Sequence, residues 1–127
     1  MPDWQGNGVI LVIDDHELVC EVLRHILERH GFTVLTATDG PTGVALFRRH
    51  AEEVRLVLLD LVLPGMSGPE VLQALRAIHS GIRVLLLTGK PEAEVQAEFA
   101  HLGVTGYIQK SFQLAPFIAE LQRVLGE

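Results

Sequence analysis

A chain of 127 residues fits one domain large enough to bury a real core. Hydrophobic residues make up 48% and charged residues 20%, which places it among globular rather than disordered chains. The net charge of −6 argues against a nucleic-acid partner, and charges or turn residues interrupt every apolar run before it could span a membrane.

The first eight residues, MPDWQGNG, lack a basic and an apolar segment, so no signal peptide is visible. One cysteine, Cys20, excludes an internal disulfide framework and suits a reducing, cytoplasmic compartment. Residues 1–8 read as a flexible leader, 9–125 as the domain and 126–127 as a C-terminal tail.

In chain order, the run VILVI (9–13) is continuously apolar, as expected of a strand buried on both faces of a parallel sheet. Residues 16–30 have helical spacing, with Val19, Val22, Leu23, Ile26 and Leu27 on one side and Gly31 as the stop. FTVLTA (32–37) is a weaker strand. The next helix, 41–50, starts at Pro41 and turns Val44 and Phe47 inward, weakened by Gly43. LVLL (56–59) is a second buried strand, followed by a helix at 69–79 burying Val71, Leu72, Leu75 and Ile78. VLLL (84–87) is a third. The helix expected at 91–102 carries only Val95, Phe99 and Leu102, a thin stripe. GYIQ (106–109) is a weak strand. The last helix, 113–125, puts Leu114, Phe117, Ile118, Leu121 and Leu125 on one face. Five strand-helix alternations predict an α/β fold with right-handed crossovers and a parallel sheet covered on both faces.

Ligands of open parallel sheets sit at the carboxyl ends of the strands. There the first strand delivers Asp14 and Asp15, the third Asp60, the fourth Thr88 and the fifth Lys110. Clustered carboxylates repel one another, and a divalent cation with a taste for hard oxygens, Mg²⁺, resolves that repulsion. Lys110 adds a fixed positive charge, so cation and ammonium together suit a phosphoryl group in flight to a carboxylate oxygen. Asp60, with no adjacent acid, is the better nucleophile, and Asp14 with Asp15 the better metal pair.

Four segments carry a resemblance: VIDDHE with Asp14 and Asp15, LLDLVLPGMSG with Asp60, LLLTG with Thr88, and GYIQKSF with Tyr107 and Lys110. Over residues 9–125 the sequence resembles the receiver (response-regulator) domain of two-component signalling systems. The resemblance implies a flavodoxin-like (βα)5 domain with sheet order 2-1-3-4-5. It implies that Asp60 is the phosphoacceptor for a sensor histidine kinase or a histidine phosphotransfer protein. It further implies Mg²⁺ bound directly by Asp15, largely through water by Asp14, and also by Asp60 and the Val62 carbonyl. Thr88 and Lys110 would meet the phosphoryl oxygens. Thr88 and Tyr107 would form the switch, and the fourth helix, fifth strand and fifth helix the output surface toward a downstream protein or effector domain. Such a protein is not a conventional enzyme, since it catalyses only its own phosphorylation and slow autodephosphorylation. A stand-alone regulator, the receiver of a longer regulator or of a hybrid kinase, and a homodimer all stay open.

Two positions depart from the family's pattern. Ser111 follows Lys110 where proline is common; a cis peptide before a non-proline residue costs roughly 3 kcal/mol, so a trans bond or a strained cis bond is expected. Ser67 stands where aspartate is frequent, a change expected to touch only a turn or helix cap. Val62 and Lys90, flanking the site, offer no carboxylate or amide to orient an attacking water, which predicts a long-lived phosphoryl state. Five histidines (His25, His30, His50, His79, His101) lie on or beside helices without metal-ligand spacing. His16 is close enough to reach the site mouth, although a solvated first-turn role is favoured. Two other readings use the same residues. A haloacid-dehalogenase-like phosphohydrolase would place its nucleophile after the first strand, but there with one residue between the acids, whereas Asp14 and Asp15 are adjacent. An unphosphorylated interaction module would need none of the chemistry.

Overall fold

The computed structural model describes residues 5–110 and 113–125. Five strands, β1 (Val9–Ile13), β2 (Thr33–Ala37), β3 (Val54–Asp60), β4 (Val84–Thr88) and β5 (Gly106–Gln109), form one sheet in the order β2-β1-β3-β4-β5, every pair parallel. Five helices alternate with them: α1 (Glu17–Arg29), α2 (Gly40–His50), α3 (Gly68–Ile78), α4 (Glu92–Phe99) and α5 (Leu114–Leu125). This is the architecture the alternating pattern predicts.

The sheet divides the core in two because alternate strand residues point to opposite faces. Ile10, Val12, Leu56, Leu58, Leu85 and Leu87 pack with Leu23 and Leu27 of α1 and Phe117, Ile118 and Leu121 of α5. Leu11, Ile13, Val57, Leu59 and Leu86 pack with Val44 and Phe47 of α2, Val71, Leu72 and Leu75 of α3, and Val95 of α4. Each fully buried aliphatic side chain contributes about 1.5–3 kcal/mol, so the central strands are the stiffest part of the molecule. Their carboxyl ends are therefore held firmly.

Three expectations need correction. Val22 is 39% exposed, and Cys20, at 5%, takes the inward position instead, because the buried face of α1 runs through Cys20, Leu23 and Leu27. Leu114 opens α5 at 56% exposure, so Val124 joins Phe117, Ile118, Leu121 and Leu125 on the buried face in its place. The helix expected over 91–102 stops at Phe99 and tightens into a 3-10 turn, Ala100–Leu102, closed by Gly103 at φ +67°. Of the described α4 side chains, only Val95 is among the buried core residues, and Pro91 at its N-cap provides no side-chain hydrogen bond.

The leader is anchored where it is described. Gly6 N–H donates to the His30 carbonyl (2.6 Å), the Gly8 carbonyl accepts from Thr33 N–H (2.9 Å), and Arg55 holds the Asn7 carbonyl at 2.8 Å. Gly43 is more than a weak helix residue: a Cβ there would stand 2.5 Å from Ile13 Cδ1, so its absence lets α2 lie close on the sheet. Ser67 caps α3 in a reciprocal box, accepting from Glu70 N–H at 3.2 Å while its own N–H donates to Glu70 Oε1 at 2.9 Å. No described helix is long and apolar enough to cross a membrane.

Candidate acidic site at the strand ends

Register brings the expected residues together. Ile13 pairs with Leu59, so Asp14 follows β1 beside the point where Asp60 closes β3. Asp60 pairs with Leu87, so Thr88 comes one residue later on β4; Thr88 in turn pairs with Gln109, the residue before Lys110. Lys110 N–H donates to the Thr88 carbonyl at 2.6 Å, which fixes where the lysine leaves the sheet.

Lys110 is the hub of the site. Its Nζ lies 2.8 Å from Asp14 Oδ2 and 3.0 Å from Asp60 Oδ2. Asp14 is fully buried and Asp60 is 5% exposed, so two acids share one ammonium in a largely water-free place. Burial pushes the Asp60 carboxyl above its usual range, and the Asp14 charge adds to that, against the Lys110 hydrogen bond and charge and the Val62 N–H (3.3 Å), which pull it down. Burial pulls the lysine down as well, but its bonds to Asp14 and Asp60 and their charges outweigh that and leave it raised. Two buried carboxylates thus face the one Lys110 ammonium.

The donor set fits a hard divalent cation. One oxygen each from Asp14, Asp15 and Asp60, with a His16 nitrogen, lie within 4.8 Å of one another. Asp14 Oδ2 is buried and, among the described residues, has no partner besides the Lys110 ammonium. Asp15 stands at the rim with a side chain 36% exposed. These carboxylates are what Mg²⁺ takes when it keeps several of its waters.

The family comparisons agree with this geometry. The description "Response regulator receiver domain" matches residues 10–122. The chain belongs to the response regulator receiver family. Among relatives, the receiver is 34% identical over 116 residues to the sensory transduction protein RegX3 of Mycobacterium tuberculosis, covering 91% of this chain and 50% of RegX3. It is 35% identical over 119 residues to the alkaline phosphatase synthesis transcriptional regulatory protein PhoP of Bacillus subtilis, covering 94% of this chain and 49% of PhoP. The chain thus spans about half the length of these curated relatives. Among solved structures, the chemotaxis protein CheY4 of Vibrio cholerae superposes with a TM-score of 0.83 at 27% identity, covering 94% of this chain and 99% of that one. The receiver domain of NtrX from Brucella abortus gives 0.82 at 28%, covering 92% and 98%.

Thr88 and Val62 flank this centre, and Tyr107 lies apart from it on β5. Thr88 is 4% exposed, and its hydroxyl accepts the Lys90 N–H at 3.0 Å, which leaves the hydroxyl proton to donate. The Val62 side chain is 77% exposed, and its N–H turns back to Asp60. Tyr107 pairs with Leu86 on β5, is half-buried, and borders a groove of about 770 Å³ between α4 and α5 with Ala97, Ala100, Glu120 and Arg123. The Lys110–Ser111 peptide lies outside the described residues.

Two features were missed or only half read from sequence. His16 is solvated as expected, its side chain 64% exposed, and it also reaches the acids: its Nδ1 stands 3.1 Å from Asp14 Oδ1 and 3.2 Å from Asp15 Oδ1. The signal was its place directly after the acid pair, where the N-cap turn folds it back. Gly68 is the other. A Cβ there would meet Leu61 Cα at 2.8 Å and Leu61 O at 2.9 Å, so α3 starts directly against the backbone that carries Asp60. Only the step from MSG into a helix hinted at it.

Proposed function

We propose that the chain is a phosphorylation-driven signalling switch in which Asp60 accepts a phosphoryl group. The single observation carrying this is the Lys110 ammonium held between two buried carboxylates, at 2.8 Å from Asp14 and 3.0 Å from Asp60. A merely structural ion pair needs one acid, and a third, Asp15, stands beside these two at the rim.

Mg²⁺ would be held by Asp14, Asp15, Asp60 and the Val62 carbonyl, and when bound it would neutralise charge on the transferring phosphoryl oxygens. An Asp60 carboxylate oxygen attacks phosphorus; the N–P bond of a phosphohistidine donor breaks, and its imidazole leaves with the electron pair and takes a proton. The end of β3 fixes the position of Asp60, and the Val62 N–H restrains its carboxylate. Lys110, already between the acids, pairs with a phosphoryl oxygen, and the Thr88 hydroxyl donates to another. Thr88 moving inward vacates space beside β4 that Tyr107 fills, displacing the lightly anchored α4. The α4–β5–α5 surface then presents the output to a downstream protein or effector domain. The phosphodonor is a sensor histidine kinase or a histidine phosphotransfer protein, and the domain acts in the cytoplasm. A phosphoryl group must favour the active arrangement by a few kcal/mol for this to work as a switch.

Incubation with acetyl phosphate and Mg²⁺, read by intact mass, tests the reading. The expected result is a gain of one phosphoryl group that chelator and Asp60→Asn both abolish. A gain that survives Asp60→Asn and is lost in Asp14→Asn would instead support the phosphohydrolase chemistry, and no gain at all would support the unphosphorylated module.

A further inference from the structure

His16 sits where none of the receiver chemistry above requires an imidazole. Its Nδ1 lies between two carboxylate oxygens, 3.1 Å from Asp14 and 3.2 Å from Asp15. Its backbone N–H is fixed by Asp14 Oδ1 at 2.9 Å, so the ring starts from a turn that cannot drift far from the acids. The side chain is 64% exposed, which lets it exchange a hydrogen-bond role for a ligand role without breaking core packing. The nitrogen and the three acidic oxygens are within 4.8 Å of one another, a span that one ion can bridge. Independently, the fully buried Asp14 carboxylate shares the Lys110 ammonium with Asp60, at 2.8 and 3.0 Å, and among the described residues its Oδ2 has no other partner, so two buried acids face one cation.

We infer that His16 is a nitrogen donor to the cation of this site and biases it toward Mn²⁺, Co²⁺ and Zn²⁺ relative to an all-oxygen receiver site. The inference rests on the acidic cluster being the receiver's cation site. The chemistry is one of donor matching. Mg²⁺ is hard, favours oxygen and holds its waters, so an imidazole adds little for it. The first-row transition ions accept imidazole readily, and each gains from replacing one water by nitrogen. A ring already resting against two of the acids gives up little freedom in doing so.

The test uses the whole chain stripped of metal, at mildly alkaline pH where a free imidazole is neutral. Pulsed electron paramagnetic resonance of the Mn²⁺-loaded protein reads nitrogen coordination directly, and calorimetric titration gives the Mn²⁺ and Mg²⁺ affinities. The wild type is expected to show ¹⁴N coupling, lost in His16→Ala and His16→Gln. In both variants Mn²⁺ affinity should fall about tenfold while Mg²⁺ affinity changes by less than about twofold. Asp15→Asn, which breaks the site and leaves all six histidines, should remove the nitrogen signal too, placing it at this site. Absence of ¹⁴N coupling in the wild type, or an unchanged ratio of Mn²⁺ to Mg²⁺ affinity in both variants, overturns the inference while leaving the receiver reading intact. If neither ion binds the wild type, the receiver reading of the cluster fails and the inference falls with it.

Discussion

Replacing Asp60 by asparagine should make the metal-free protein more stable, which separates a carboxylate kept for chemistry from one kept for structure. The change removes one negative charge and leaves an amide of nearly the same shape. At an effective dielectric of about 20, two charges 3.0 Å apart, the Lys110–Asp60 distance, attract by about 5.5 kcal/mol. Repulsion from Asp14 at up to 4.8 Å is worth at least about 3.5 kcal/mol on the same basis. Asp15 stands within the same span but is over a third exposed, so screening leaves roughly half that amount. Attraction and repulsion therefore cancel to within about 1 kcal/mol, and burial of the carboxylate decides the sign. The expected gain is about 1–2 kcal/mol in chelator at neutral pH. A carboxyl whose folded pKa is raised contributes its stability below the usual value near 4 and loses it as pH rises through the folded value. The advantage of Asp60→Asn should therefore vanish in acid and grow toward neutrality. Excess Mg²⁺ should reverse it, because the wild type gains binding energy that the variant largely forgoes. Urea unfolding with and without chelator reads all three effects. A variant less stable than wild type in chelator would refute the reasoning and make Asp60 a structural ion-pair residue.

Other expectations follow from contacts elsewhere. Gly43→Ala should destabilise by about 1–3 kcal/mol in urea unfolding despite the better helix propensity, because the new Cβ meets Ile13. Gly68→Ala, colliding with the Leu61 backbone, should both destabilise the fold and slow phosphoryl acceptance from acetyl phosphate. Ser67→Ala should cost about 1 kcal/mol through loss of the α3 cap and leave the acceptance rate within a factor of about two. The Cys20 thiol is buried and, by that burial and the Asp14 charge, pushed up to about 11, so a disulfide reagent should label it only in denaturant.

The sheet was legible because both faces of its central strands are buried. VILVI, LVLL and VLLL are short, continuously apolar and bounded by turn residues or charges, which marks interior strands, and in a parallel sheet their carboxyl ends gather the acids. Thr88 and Lys110 gained meaning only through that register. What escaped detection depends on distances between elements. Gly43 and Gly68 look like weak helix formers until the sheet and the Asp60 turn are laid beside them. The exposure of Val22 and Leu114 depends on where the edges of α1 and α5 overhang the sheet, which helical spacing does not encode. Lys110 was expected to meet a phosphoryl group, yet its resting pairing with Asp14 as well as Asp60 required the packed strand ends. His16 was expected to be solvated and within reach of the site mouth, and it is both; only the fold of the turn shows its contact with both acids.

The most direct test of the central claim is to locate the phosphoryl group. After treatment with a small phosphodonor and Mg²⁺, borohydride cuts an aspartyl phosphate to the alcohol, and peptide mass mapping finds the reduced side chain. The account predicts reduction at Asp60 alone, dependent on Mg²⁺ and much slower in Lys110→Ala. Reduction at Asp14 or Asp15, or none at any residue, would contradict it.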